Sequence, residues 1–422
     1  MQKFFQIFEI PELRKKVLIV LGLLTVFRLF SNIPIPGIDI SRLAGFLSSN
    51  QLLGFFNIFS GGALSNFSIM MLGVGPYITA TIIMQLLTMI FPKLKEIYYE
   101  QGEAGRAKFN RYSRYLTVPL AALQGYSFLN LLIVQKIILP MTPFDSLRNM
   151  ILITAGSMFL VWLGELISEQ KIGNGVSLLI FAGIVSRIPS VMKNIFLSYD
   201  PALLPTYLAF VILCIVVIAG VVFINEGERK VPVSYSKRIR GNRMYGGVST
   251  YLPLKVNQAG VIPIIFAISL LLFPQFFAQI SAFISQDFSL RLTEIVNRTL
   301  SNQLIYSSLY FILVVLFTYF YTAVTFDPQE ISKNLQRSGG FIPGIRPGQS
   351  TGDFLAKIIN RTTVFGALFL GVIAILPNIT QAFTGIQFLG LGGTALLIVV
   401  SVAIETMRQI DSQLVMREYE GF

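Results

Sequence analysis

LLPTYLAFVILCIVVIAGVVFIN, from Leu203 to Asn225, decides the fold, because it holds no charged side chain and exceeds the ~20 apolar residues that a helix needs to cross a bilayer. Runs of the same kind flank it: Val17–Ile33, Ile69–Phe91, Tyr115–Leu139, Arg148–Ile167 and Val176–Phe196 before it, and Gln258–Ile280, Gln303–Phe326, Thr362–Phe383 and Phe388–Met407 after it. The chain therefore reads as an all-α membrane protein of ten transmembrane helices. A soluble helical protein is the alternative. With 54% hydrophobic and 13% charged residues, against about 25% charged in soluble domains, the composition argues against it.

The net charge of +12 would suggest nucleic acid in a soluble protein. Here the basic residues sit between the apolar runs and report topology instead. With the N-terminus inside, 25 of the 33 Lys and Arg side chains fall on the inner side, seven on the outer side, and Arg28 within the first span. The positive-inside rule then places both termini in the cytoplasm. Lys3, Arg14, Lys15 and Lys16 before Val17 imitate a signal peptide, but the run leads into PIPG rather than a small-residue cleavage site, so it reads as a retained first span.

Histidine is absent, and the single cysteine, Cys214, lies in the middle of the opening run. This excludes disulfide frameworks, Cys/His zinc sites, HExxH metalloproteases and histidine-based serine proteases within the chain. No cofactor or metal is expected, and no nucleophile–base pair points to an enzyme. No Asp or Glu lies near the middle of a span, since Glu165 and Glu405 fall close to inner ends. Ion-coupled transporters bury such groups along their path, which weakens the small-solute transporter, the alternative function considered. Arg28 is expected to bind helix-end carbonyls or to snorkel.

Two inner loops, 226–257 and 327–361, are long and basic, as functional loops are. The second holds FIPGIRPG from Phe341, where Pro and Gly fix a turn predicted to project Ile345 and Arg346. Ten spans split into two sets of five near Tyr199–Pro205. An odd number per set makes the second set enter from the opposite side, so a shared fold would be an inverted repeat. Between the first two spans, GFFNIFSGGALSNF (Gly54–Phe67) is too short to cross and must lie flat or re-enter. Gly73, Gly75 and Pro76 are read as a loosened, closely packed part of the second span. Gly173-Asn174-Gly175 forms a tight turn at a helix start, with too few glycines for a nucleotide loop.

These segments resemble the SecY family. VFRLFSNIPIPGID, FNIFSGGALSNFSIMMLGVGPYITATIIMQLL, WLGELISEQKIGNGVSLLIFAGIV, STYLPLKVNQAGVIPIIFA and FIPGIRPG match its patterns in order, from about Val17 to Met407. The resemblance implies a clam-shell of two inverted five-helix halves, 17–198 and 199–407, between a cytoplasmic amphipathic segment, 1–16, and a cytoplasmic tail, 408–422. Between the halves would lie a pore for unfolded, signal-bearing polypeptide, with a lateral gate between the second and seventh spans releasing apolar segments into lipid.

The same resemblance assigns a pore ring to Val74, Ile78, Val176, Ile180, Ile265 and Ile398. Val74 and Val176 stand where the family commonly has isoleucine. A re-entrant plug helix would be Phe55, Phe56, Asn57, Ile58, Phe59, Ser60, Gly61, Gly62, Ala63, Leu64, Ser65 and Asn66. The cytoplasmic docking arginine would be Arg346, supported by Arg240 and Arg243, with Asn242 where many bacterial relatives have another arginine. The implied partners are SecE bracing the halves, SecG, the SecA ATPase or a translating ribosome, the unfolded precursor and membrane lipid, without sequence-specific nucleic-acid binding. The implied location is a bacterial plasma membrane, or an organelle's such as the thylakoid.

Overall fold

The computed structural model describes residues 10–36, 57, 60–99, 101–135, 137–197, 201, 204–235, 238–240, 243–245, 249–281, 286–384 and 392–420. In chain order the helices are α1 (Pro11–Phe30), α2 (Gly75–Ile90), α3 (Pro92–Tyr99), α4 (Gly102–Val134), α5 (Pro143–Glu169), α6 (Gly175–Val185), α7 (Ile188–Leu197) and α8 (Leu204–Glu226). They continue with α9 (Ile262–Ile280), α10 (Gln286–Ser301), α11 (Gln303–Thr325), α12 (Pro328–Arg337), α13 (Gln349–Thr384) and α14 (Gly392–Glu420). Most of each of the ten apolar runs lies on these helices among the described residues. Among the described residues, five helices are long and apolar enough to cross a membrane on their own, and α2 joins them if counted with α3, to which it is bent by 115°.

Three boundaries differ from the sequence reading for physical reasons. The run from Ile69 is not helical until Gly75. Ser68–Val74 instead form consecutive tight turns closed by Met71 N→Ser68 O and Gly73 N→Met70 O, both through buried residues. Pro76 sits in the first turn of α2, where its missing N–H leaves no partner unsatisfied, so Gly-Pro starts the helix rather than loosening it. The run Val176–Phe196 breaks at Ser186–Arg187, ahead of Ile188-Pro189, because proline donates no N–H to the preceding turn. Finally, α1 begins at Pro11, so Arg14, Lys15 and Lys16 belong to the first helix.

The helices sort into two sets by what they touch. In the first, α1 packs on α5 and α6, α2 on α4 and α5, and α4 and α6 on α5. In the second, α11 packs on α9 and α13, and α14 on α8 and α13. The principal contacts between the sets are two seams, α9 against α2 and α4, and α14 against α6. A single apolar cluster, from Leu13 to Leu414, runs through both sets.

Outside the apolar runs the long loops form five short strands: β1 (Glu228–Tyr235), β2 (Arg238–Arg240), β3 (Arg243–Tyr245), β4 (Ser249–Lys255) and β5 (Gly340–Phe341). The sheet order is β4-β1-β5, antiparallel, with Val231 opposite Leu252 and Ser234 opposite Phe341. Val231 and Val233 alternate with exposed neighbours and bury one face of the strand, as period two requires. They pack with Leu254, Ile342, Leu355, Ile358 and Ile359 into a second core. This small β knob stands at the end of α8, α9 and α13.

Candidate functional site

The second seam runs along α6, which passes through three environments in order. Its first turn opens on a polar basin of about 400 Å3, bounded also by the end of α8, the start of α9 and α14. The turn is fixed locally: Asn174 caps α6, its side chain accepting from Ser177 N at 3.1 Å, while Ser168 Oγ accepts from Gly175 N at 2.9 Å. A Cβ on Gly175 would stand 1.8 Å from the Gly164 carbonyl, so only glycine fits.

The opposite wall of the basin is a hydrogen-bonded network. Asn257 Nδ2 donates to Asn225 Oδ1 at 2.8 Å, Asn225 Nδ2 donates to Ser401 Oγ at 2.6 Å, and Arg408 pairs with Glu226 at 2.8 Å. Buried Asn257 Oδ1 accepts no hydrogen bond from the described residues. Desolvation and the Arg408 charge pull the Lys255 ammonium below its ordinary range, with Glu405, Glu226 and Glu228 opposing the shift.

One turn into the bundle the lining becomes aliphatic. Val74, Ile78 and Ile265 line a crevice of about 20 Å3 between α2 and α9 with Leu72, Gly75, Ile268, Ser269 and Leu272. Ile180 and Ile398 are almost fully buried in the same cluster, with half-buried Val176 packed against it. All six predicted ring residues thus belong to the apolar cluster that runs through both sets or pack against it, and the crevice brings three of them together. Beside it, Gln124 Nε2 approaches Thr79 Oγ1 at 3.5 Å between α4 and α2.

Deeper still, the turn after Asn57 closes against α6. Gly61 and Gly62 adopt φ of +67° and +84°, a region open to glycine. A Cβ on Gly61 would meet Gly183 Cα at 2.8 Å and the Phe27 ring at 3.1 Å. Asn57 O accepts from Gly62 N at 2.8 Å, Asn57 Oδ1 from Ser65 N at 2.9 Å, and Ala63 and Leu64 are fully buried. Arg28 Nη1 donates to the Gly61 carbonyl at 2.8 Å, so it binds a carbonyl of this turn rather than a helix end. Of the predicted plug, Asn57 and Ser60–Asn66 form this buried turn, whereas Phe55, Phe56, Ile58 and Phe59 lie outside the described residues.

The family model described as SecY matches residues 68–407. The protein translocase subunit SecY of Streptomyces coelicolor is 43% identical over 99% of both chains, and that of Mycobacterium tuberculosis 42% over 97% of both. The chain belongs to the SecY family. Its fold is also that of solved relatives. A protein-conducting channel superposes with a TM-score of 0.66 at 21% identity, covering 94% of this chain and 91% of the other. Sec61 in the canine ribosome–channel complex from the endoplasmic reticulum gives 0.63 at 20%, with the same coverage. The chain is therefore a multi-pass membrane protein with the SecY-family architecture.

On this SecY-family scaffold, Arg346 is exposed at the tip of the β knob. Its backbone carbonyl accepts from Thr351 Oγ1 at 2.9 Å, and Gly344 and Gly348 take positive φ on either side. Ile345 is not projected beside it; it packs against the knob core, as an aliphatic residue next to Ile342 gains by burial. Arg240 and Arg243 are register partners at the end of the β2–β3 pairing. Sequence reasoning missed the basin wall. The signal was present as Asn257 before the Gly260 bend and Asn225 at the end of an apolar run, but their partners, Ser401 and Arg408, are distant in sequence.

Proposed function

We propose that this chain is the channel subunit of a protein translocase, passing unfolded, signal-bearing polypeptide between its two helix sets and releasing apolar segments sideways through the α2–α9 seam. The observation that carries the reading is the order of layers along three helices. On α6, Asn174 and Ser177 line the polar basin, Ile180 lies in the aliphatic layer and Gly183 meets the buried turn. On α9, Ile262 borders the basin and Ile265 the crevice; on α14, Arg408, Glu405 and Ser401 line the basin and Ile398 lies about one turn beyond Ser401. A water-filled entrance over an aliphatic constriction suits a substrate of arbitrary sequence. The constriction has no polar group to select for, sheds water when empty and yields when occupied.

In this reading Val74, Ile78, Val176, Ile180, Ile265 and Ile398 form the constriction, and residues 55–66 are its plug. The α2–α9 seam is apolar, so a segment rich in Leu or Ile gains roughly 0.3–0.6 kcal/mol per such residue on moving into lipid. The halves are 17–198 and 199–407, with both termini and the β knob in the cytoplasm of a bacterial plasma membrane. Arg346, with Arg240 and Arg243, docks a SecA-type motor or a ribosome, since a planar guanidinium pairs bidentately with carboxylate or phosphate. A SecE-type subunit braces the two sets, and a SecG-type subunit accompanies it.

The test is a stalled precursor carrying a photoreactive residue, in vesicles containing this chain, a SecE-type subunit and a SecA-type motor. Crosslinks to Ile78, Ile265 and Ile398 are expected. Crosslinks confined to the β knob, together with cation-driven solute uptake by the chain alone, would replace this reading with a small-solute transporter.

A further inference from the structure

Helix α10 carries Asp287, Arg291, Glu294 and Arg298, too many charges to cross a bilayer, yet it is inserted between two helices of the apolar bundle. Asn302 alone separates it from α11, whose first turn that residue caps by accepting from Leu304 N and Ile305 N at 3.1 and 3.3 Å. At its other end, buried Ser289 Oγ donates to the Ala278 carbonyl of α9 at 2.7 Å. The helix is thus pinned at the level where α9 ends and α11 begins, on the opposite side from the β knob.

Phe288, Leu292, Ile295 and Thr299 recur at helical spacing and share one face. Phe288 is 50% and Ile295 61% exposed, and the face continues an exposed apolar surface made by Phe277 of α9 (57%) and Leu304 of α11 (80%). Beside it, Arg291 and Arg298, seven residues apart, stand exposed along one flank. An apolar stripe bordered by arginines and continuous with bilayer-facing helices is the pattern of a helix lying in the membrane interface. Asp287 and Glu294 balance the two arginines, so attraction through net charge to an anionic membrane is absent, and the phosphate carried by every phospholipid is the group the guanidiniums fit.

We propose that α10 is an interfacial helix seated on the bilayer surface, with Phe288 and Ile295 among the acyl chains and Arg291 and Arg298 on lipid phosphates. The proposal rests on the membrane reading of α9 and α11 and is independent of what the channel carries. Its test uses the full chain with Trp162→Phe, which removes the only tryptophan, and Ile295→Trp as reporter. In vesicles of phosphatidylcholine, and equally with added phosphatidylglycerol, the new tryptophan should lose most of its emission to lipids brominated near the headgroup and resist aqueous iodide. Arg291→Gln with Arg298→Gln should reverse that preference.

Quenching by iodide and not by bromolipid would overturn the proposal, as would protection from both, which would mean that protein covers the face. A dependence on phosphatidylglycerol would overturn the charge argument. If Ile295→Trp accumulates poorly, Ile295→Cys in a Cys214→Ser chain carries a nitroxide to the same position. There, greater collision with oxygen than with a water-soluble nickel chelate supports interfacial seating, and the reverse refutes it.

Discussion

The β knob and the aliphatic layer are held together by opposite means. In the knob, strands pair in a fixed register, Asp327 caps α12, Thr351 Oγ1 holds the Arg346 carbonyl, and Ser332 Oγ donates to the Gly348 carbonyl. Directional bonds of this kind fix one geometry. In the layer, α2 meets α9 through Val74, Ile78, Ile265 and Ile268, and among the described residues no hydrogen bond joins the two helices. Non-directional contacts lose little when they slide and re-form. The difference teaches a division of labour, in which a rigid surface presents a charge at one end and a seam without directional bonds joins the two helix sets; the proposed gate requires that seam to be able to part.

The contrast can be broken first at the knob. Arg346→Glu should abolish precursor transport while the protein remains folded and inserted, because an exposed side chain contributes little to stability. Undiminished transport would remove Arg346 from the docking surface. Gly61→Val comes next: its Cβ would collide with the Gly183 backbone in a conformation valine avoids, so the buried turn should leave its seat. Raised ion conductance in planar bilayers measures this, and an unchanged baseline would dissociate the turn from the seal.

Ile398→Asn sharpens the comparison within the layer. In a packed core the buried amide costs on the order of 1–3 kcal/mol and abundance should fall. In a constriction open to water, abundance should hold while ion leak and transport of precursors with defective signals increase. Smaller effects are expected where the bonds are directional. Asn257→Ala, which removes the link to Asn225, should lower stability by about 1 kcal/mol, read as a lower melting temperature in detergent with a closed, non-leaking channel. Ser332→Ala should shift stability by about 1 kcal/mol or less and leave leak untouched. Leak from the Ser332 variant would mean that the knob and the layer are not separable, and leak from the Asn257 variant would couple the basin wall to the layer.

The spans were legible because hydropathy reports directly on a long apolar helix. Their ends were not, because hydropathy marks lipid rather than helix: α4 begins at Gly102 and α13 at Gln349, each thirteen residues ahead of its apolar run. The knob was visible only as two long basic loops. Strands Glu228–Tyr235 and Gly340–Phe341 pair across more than a hundred residues, and no local pattern encodes such a partner. In the site, the aliphatic residues came from family resemblance, since six Val and Ile side chains carry no chemical signature. Asn174 was readable as a turn, but the Arg28–Gly61 bond was not, because an arginine at membrane depth fits several acceptors equally well.

At Gly61 and Gly183 the turn and α6 meet backbone to backbone, with no side chain between them to bend or repack. Dispersion forces fade steeply once surfaces separate by an ångström, and a backbone-to-backbone contact has few graded intermediates, leaving the Arg28 bond to the Gly61 carbonyl as the one flexible tether there among the described residues. Mechanically it is brittle rather than elastic: it holds fully under small fluctuations and lets go at once past a short travel. A seal seated on such a joint would convert a modest, gradual displacement of α6 into a sharp release, giving the channel a threshold instead of a proportional leak.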